Sequence, residues 1–343
     1  MWDILTILRG GNRKKEVESQ KDFSASFVDV SQWQEAQEYT TGGTREKCWL
    51  INSKTYTLYF FKVSIKKGDK DYPTEFWMEI IASKIGAMLG LNILDYNIAK
   101  RMDKVGCISK HMVAENEGYA LVELMYILAG FSDNYNPETD KDKFTVDFVY
   151  NALQAIGLEK YIKEFIDVLV FDCIIGNQDR HQENWGLISP QEAKKHIPKE
   201  TNHTGNIKLY WVGSKVAPVY DSGSSLGREK DEITIGQMLT DDAQTDAYIN
   251  RYKPEIRIEE GRKITYMEML KYLLQHPTYG ALTRKSIETF IRNYDADMVA
   301  QIVMDIDNNL PPDLKKTYGL STSRKEFVIN LINRRIHKLE QFL

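Results

Sequence analysis

The chain has 343 residues, 42% of them hydrophobic and 27% charged, with 19 Tyr and 13 Phe, a composition that supports a substantial core and excludes a disordered polypeptide. A formal net charge of −4 supplies no global positive field, so direct nucleic-acid binding and attachment to an anionic membrane surface are not expected. Three cysteines, Cys48, Cys107 and Cys173, with no Cys-x-x-Cys pair, argue against a disulfide framework and a structural zinc site, and read as buried thiols in a reducing compartment.

Met1 to Leu8 is apolar but carries Asp3, and Arg9 and Arg13-Lys14-Lys15 follow where a signal peptide would have a small-residue cleavage site. No window approaches the roughly 18 uninterrupted apolar residues of a membrane span; even Phe165 to Ile175 contains Asp167 and Asp172. The expected location is the cytoplasm. Residues 1–36 read as an N-terminal extension, polar and charged over 10–36. The Gly-centred stretch Thr40-Thr41-Gly42-Gly43-Thr44-Arg45-Glu46-Lys47 then leads into a strand, Cys48 to Ile51, and a second β-type run spans Tyr56 to Val63 and includes Lys62. Thr74 to Leu89 places Trp77, Ile80, Ile81, Ile85, Met88 and Leu89 on one helical face, encloses Glu79 and ends at Gly90. Short strands are expected at Asn97 to Ala99 and Gly106 to Lys110, around the turn Met102-Asp103-Lys104.

From about Gly118 the pattern becomes helical: Ala120 to Leu128, Thr145 to Ile156, Tyr161 to Ile175, Tyr266 to Leu274, Arg284 to Tyr294 and Ser323 to Phe342. Two β-type runs interrupt it, Leu209 to Val212 and Ala217 to Tyr220. The expected architecture is α+β and two-lobed: a small lobe over 37–112, with an antiparallel sheet and one helix, and a mainly helical lobe over 113–343, meeting at a cleft.

The densest chemistry lies in Gly176-Asn177-Gln178-Asp179-Arg180-His181-Gln182-Glu183-Asn184. Phosphoryl transfer from ATP needs a carboxylate to accept or orient the acceptor's proton, and hard oxygen ligands to hold Mg²⁺ against the phosphates. Asp179 and Asn184 have the Asp-x₄-Asn spacing of a kinase catalytic loop. Downstream, Val219-Tyr220-Asp221-Ser222-Gly223 delivers an aspartate to a Gly-containing turn, as the Asp-Phe-Gly element of kinases does. The expected roles are Asp179 as catalytic base, Asn184 and Asp221 as metal ligands, and Lys62, paired with Glu79, as the cation that positions the phosphates. Thr41 to Lys47 would cover the nucleotide. His181 is expected to pack the loop by donating to a backbone carbonyl, and Phe165, Ile166, Leu169, Val170 and Cys173 to form the core beneath it. Asp305 to Asn309 has a calcium loop's composition, but Leu310 and Lys316 stand where that loop needs Gly and Glu, which removes the reading.

Three stretches, in order, resemble the HipA-like serine/threonine kinases, bacterial enzymes known as toxins of toxin–antitoxin pairs: Thr40 to Lys47, Glu79 to Leu91, and Ile174 to Asn184. The resemblance implies a protein-kinase-like fold, ATP and Mg²⁺ as cofactors, and a protein substrate, with translation components as candidates. Residue by residue it implies Asp179 as base, Asn184 and Asp221 on Mg²⁺, Lys62 on phosphate, Thr41, Gly42, Gly43, Thr44 and Lys47 on the nucleotide, and Ile108, Ser109, Lys110 and His111 as the adenine-binding hinge. Thr40 stands where members carry an autophosphorylated Ser, and becomes the candidate for self-modification. The N-terminal subdomain of full-length members is expected to be missing, which bears on the antitoxin as a partner. Two alternatives stay open, a small-molecule phosphotransferase with the same loop and a non-catalytic protein that binds a partner through the cleft.

Overall fold

β-Branched and aromatic residues alternating along short runs, with a glycine or polar turn between them, build a six-stranded sheet in the small lobe of this computed structural model, which describes residues 22–37, 46–68, 70–113, 117–199 and 207–343. Its strands are β1 (Phe27–Asp29), β2 (Gln34–Glu35), β3 (Lys47–Ile51), β4 (Leu58–Lys62), β7 (Tyr96–Arg101) and β8 (Lys104–Lys110), in the order β1-β7-β8-β4-β3-β2. A small hairpin, β5 (Lys66–Lys67) and β6 (Lys70–Asp71), follows β4. β1 pairs with β7 in parallel and the other pairings are antiparallel, so both edge strands come from the stretch expected to be an N-terminal extension. One face of the sheet buries Val30, Cys48, Leu50, Phe61, Ala99 and Ile108 in a small core of its own.

The other face carries helix α1 (Glu75–Met88), which is buried from Glu75 to Gly86 because it is wedged between the sheet and the helical lobe. Trp77 donates from Nε1 to the carbonyl of Tyr318 at 2.6 Å, and Asn293 Nδ2 donates to Leu89 O at 2.8 Å, so both ends of α1 are tied to the larger lobe. Gly90, at φ +86°, turns the chain out of the helix as expected.

The larger lobe begins with a three-stranded sheet, β9 (Tyr119–Glu123), β10 (Gly186–Pro190) and β11 (Lys215–Val216), in the order β11-β10-β9. Its helices are α2 (Leu124–Phe131), α3 (Val146–Ala155), α4 (Ile162–Ile175), α5 (Glu232–Thr240), α6 (Asp242–Asn250), α7 (Tyr266–Gln275), α8 (Gly280–Asn293), α9 (Ala296–Asp305), α10 (Pro312–Tyr318) and α11 (Thr322–Glu340). Helix α4 lies at the centre, packed on α7, α8 and α11, with Phe165, Ile166, Leu169, Val170 and Cys173 all buried. The architecture is α+β with two lobes, as the sequence implies.

Three local expectations are corrected. Ala120 to Leu128 is not one helix: its first half is β9, paired with β10, and α2 starts at Leu124. Leu209 to Val212 is not a strand but part of a 3₁₀ turn, Ile207–Trp211, held by Trp211, whose Nε1 donates to His196 O, while Leu209 and Val212 face solvent. Ala217 to Tyr220 forms no ladder, because Pro218 has no N–H to give; Val219 makes one parallel bridge to Ile93, and the strand falls earlier, at β11.

Candidate active site

Strand alternation sends Phe61 into the outer core and Lys62 to the opposite face, toward α1. Lys62 is 5% exposed, and its Nζ lies 2.6 Å from Glu79 Oε2 and 3.0 Å from Asp221 Oδ1. Burial works against the ammonium charge, and the two carboxylates outweigh it, so the group is held well above the ordinary lysine range and stays charged. Neighbouring Gly106 makes this approach feasible: a Cβ there would sit 2.2 Å from the carbonyl oxygen of Lys62. Glu79 is 1% exposed and fully engaged, since Oε1 accepts from Ser222 N and Oε2 from Gly223 N, each at 2.8 Å. One helix carboxylate therefore grips the lysine and the turn that carries Asp221. Asp221 has φ +55°, a left-handed conformation costing about 1–3 kcal/mol, which the two bonds to Glu79 help to hold.

The Asp179 loop starts where α4 ends, at Gly176 in the left-handed region (φ +66°), with Asn177 N returning to Asp172 O at 3.0 Å. Beneath the loop, Asp172 and Arg180 form a fully buried bidentate pair, Nε to Oδ2 and Nη2 to Oδ1, both at 2.9 Å. Burial disfavours the guanidinium charge, and Asp172 overcomes this, so Arg180 is pushed up and remains a cation. The rest of its fork donates to Tyr220 O, to Ser222 Oγ at 2.9 Å and to Asn184 O at 3.4 Å. A single arginine thus ties both acidic segments together. Asp179 is itself exposed to the cleft; its N–H donates to Asn177 Oδ1 at 3.1 Å, and its Oδ2 accepts from Ser224 Oγ at 3.3 Å. Asn184 is buried and donates from Nδ2 to Asp179 O at 3.0 Å, which turns its amide oxygen away from that carbonyl.

His181 packs within the loop in a different way from that expected: its Nδ1 accepts from Glu183 N at 3.3 Å instead of donating to a carbonyl. Lys47 lies directly opposite Lys62 across the β3/β4 ladder, hence on the same face. The Ile108 to His111 stretch is divided. Ile108 and Ser109 sit inside β8 with ladder neighbours on both sides, whereas Lys110 pairs on one side and His111 lies just past the strand, its N–H on Leu58 O. Beyond it Val113, Ile188 and Ala217 form a small apolar cluster where the lobes meet. In front of Asp179 opens a cavity of about 400 Å³, lined among others by Pro137, Glu138, Lys141, His181 and Glu183. Thr40, Thr41, Gly42, Gly43 and Thr44 lie outside the described residues.

The donors fit a hard divalent cation: a carboxylate from Asp221 and an amide oxygen from Asn184, with no sulfur and with Lys62 alongside to balance phosphate charge. Asp172, Arg180, Ser224 and the amides of Ser222 and Gly223 were not singled out for this site in the sequence. The available signal was Asp172, the one charge in the apolar second half of α4, Val168 to Ile175, which calls for a buried partner.

The two-lobed fold and the lysine, glutamate and aspartate at its cleft define a protein-kinase-like enzyme. No protein-family model matches the chain. Among curated proteins it is similar to the serine/threonine-protein kinase CtkA of Helicobacter pylori (strain J99), 22% identical over 296 residues, which are 84% of this chain and 78% of that one. Among solved structures it matches the H. pylori proinflammatory kinase CtkA with a TM-score of 0.68 and 20% identity, covering 92% of this chain and 97% of that one. It also matches the Shewanella oneidensis MR-1 toxin–antitoxin structure of HipA with HipB and operator DNA, with a TM-score of 0.50, 12% identity, and coverage of 88% and 65%. The fold is therefore the one that CtkA and HipA share. No helix among the described residues is long and apolar enough to cross a membrane.

Proposed function

We propose that the protein transfers the γ-phosphate of ATP to a serine or threonine hydroxyl of a protein. The observation that carries this is Lys62 Nζ held between Glu79 and Asp221, with Asp179 and Asn184 tied to the same turn through Arg180. Mg²⁺, once bound with ATP, would supply charge neutralisation at the phosphates. Lys62 holds the phosphates, with Lys47 beside it on the cleft face, and Asp221 and Asn184 offer oxygens to the metal. Thr41, Gly42, Gly43 and Thr44 are assigned to the nucleotide on the sequence resemblance alone, and the adenine edge is read at the end of β8, at Lys110 and His111. Asp179, facing the cavity, takes the acceptor's hydroxyl proton as its oxygen bonds to the γ-phosphorus and the bond to the β,γ-bridging oxygen breaks, releasing ADP.

A protein acceptor is favoured by the likeness to CtkA, named as a serine/threonine-protein kinase. The test is incubation with labelled ATP and Mg²⁺ alongside Asp179→Asn, followed by phosphosite mapping in a lysate. Label on protein Ser or Thr, lost in the variant, supports the reading; label appearing only on small molecules transfers the activity to the phosphotransferase class. The same mapping decides whether Thr40 is a self-modification site. The HipA likeness supports an antitoxin as a further partner, which copurification with the product of an adjacent gene tests.

A further inference from the structure

Helix α1 carries a second buried carboxylate, Glu75, one turn before Glu79 and therefore on the same face. It is 3% exposed. Its Oε2 accepts from Ile65 N at 2.9 Å, three residues beyond Lys62, and its carboxylate forms an ion pair with Arg228, seven residues beyond Asp221. The guanidinium of Arg228 lies over the Tyr72 ring, 4.8 Å from the centroid. The first turn of α1 is also tied to the same strand exit by Ser64, whose Oγ accepts from Phe76 N at 3.1 Å. Between the two carboxylates, Gly223 passes so close to the helix that a Cβ would meet Glu79 Oε2 at 3.1 Å and Glu75 O at 3.3 Å.

Glu79 and Glu75 thus repeat one arrangement a turn apart. Each joins the β4 side of the small lobe to the segment after Asp221, Glu79 through Lys62 and the amides of Ser222 and Gly223, Glu75 through Ile65 and Arg228. Rotation or outward swing of α1 would break the second tie as well as the first. We propose that Glu75 and Arg228 are positioning residues, a clamp that keeps α1 in the orientation where Glu79 grips both Lys62 and the Asp221 turn. The inference rests on the kinase reading for its consequence in catalysis, but not for its mechanical content.

Amide hydrogen exchange at Ser222 and Gly223 tests it in the full chain, with amides of α4 as the global reference. Arg228→Met, which keeps an apolar stem, should speed exchange at these two amides by about tenfold or more with the α4 amides unchanged, since a hydrogen-bonded charge contact is worth at least that factor. The isosteric Glu75→Gln should do the same, Arg228→Lys should restore most of the protection, and the double variant should be no worse than the worse single. If Arg228→Met does not fold, Glu75→Gln alone gives the reading. Unchanged exchange in the singles, or additive losses in the double, would overturn the clamp. Because exchange needs no turnover, a protein that behaves as described yet transfers no phosphate would refute the kinase proposal and leave the clamp standing; in an active enzyme the singles should also lower kcat, with Arg228→Lys recovering it.

Discussion

Replacing Arg180 by Met would leave the Asp172 carboxylate in the core, where its side chain is 0% exposed, with Asn177 Nδ2 as its one remaining side-chain donor among the described residues. Breaking a buried ion pair from one side costs about 3–5 kcal/mol. The same change strips donors from Tyr220 O and Ser222 Oγ, at about 1–3 kcal/mol for a buried acceptor that finds no replacement. A loss of about 4–8 kcal/mol is expected, a large part of the roughly 5–15 kcal/mol that holds a domain together, with a Tm lower by about 5–10 °C. The double variant Asp172→Leu, Arg180→Met removes both charges and should return to within about 2 kcal/mol of the parent. Its nucleotide affinity should not return, because the Arg180 fork that joins the Asn184 carbonyl to Tyr220 O and Ser222 Oγ is gone. Urea unfolding and calorimetric ATP titration of the three proteins separate the two effects. A single variant that loses less than about 1 kcal/mol, or a double variant that binds ATP and Mg²⁺ like the parent, would refute the reasoning.

Lys62→Met should lower kcat/KM by about a hundredfold or more while the chain stays folded, the scale seen when one charge-stabilising donor is lost, and steady-state kinetics check it. Gly106→Ala should push β4 away at the Lys62 carbonyl, 2.2 Å from the new Cβ, costing about 1–3 kcal/mol and weakening ATP binding; a denaturation curve and a binding isotherm read both. Asp307 has a different pH signature. Burial pushes its carboxyl up, but hydrogen bonds from Lys325 and Lys315 outweigh this and hold it below the ordinary 3.8. A depressed value means stability that is present above 3.8 and lost as pH falls through the folded value. Asp307→Asn should therefore cost about 3 kcal/mol at neutral pH, and the gap to the parent should close on acidification below that point, as unfolding at several pH values would record.

Much of the small lobe was legible because its signals are local. Alternation along Cys48 to Ile51 and Tyr56 to Val63, and the 3.6-residue period of Thr74 to Leu89, are carried by neighbours in sequence. The proposed loop chemistry rests on equally local signals, the residue types and spacing of Asp179, Asn184 and Asp221. What the sequence hid depends on distant partners. The run from Ala120 reads as helix until β10, far along the chain, claims its first half as a strand. Phe27–Asp29 looks like tail until β7 pairs with it. The exposed Leu209 and Val212 look like strand residues because their propensity is not matched by burial. Helices α5, α6 and α10 escaped for another reason: they are short, and their placement rests on packing and caps such as Asp231 and Asp241 more than on a long apolar stripe. Within the site, the role of Arg180 follows from Asp172, which only the fold places beneath it.

Calorimetric titration of ATP with Mg²⁺ into the parent protein and Asp221→Asn, repeated with the ion chelated, tests most directly whether Lys62, Asn184 and Asp221 frame a metal–nucleotide site. Binding that needs Mg²⁺ and falls by at least about tenfold in the variant is expected. Binding of equal strength in both proteins, or indifferent to chelation, would contradict the account.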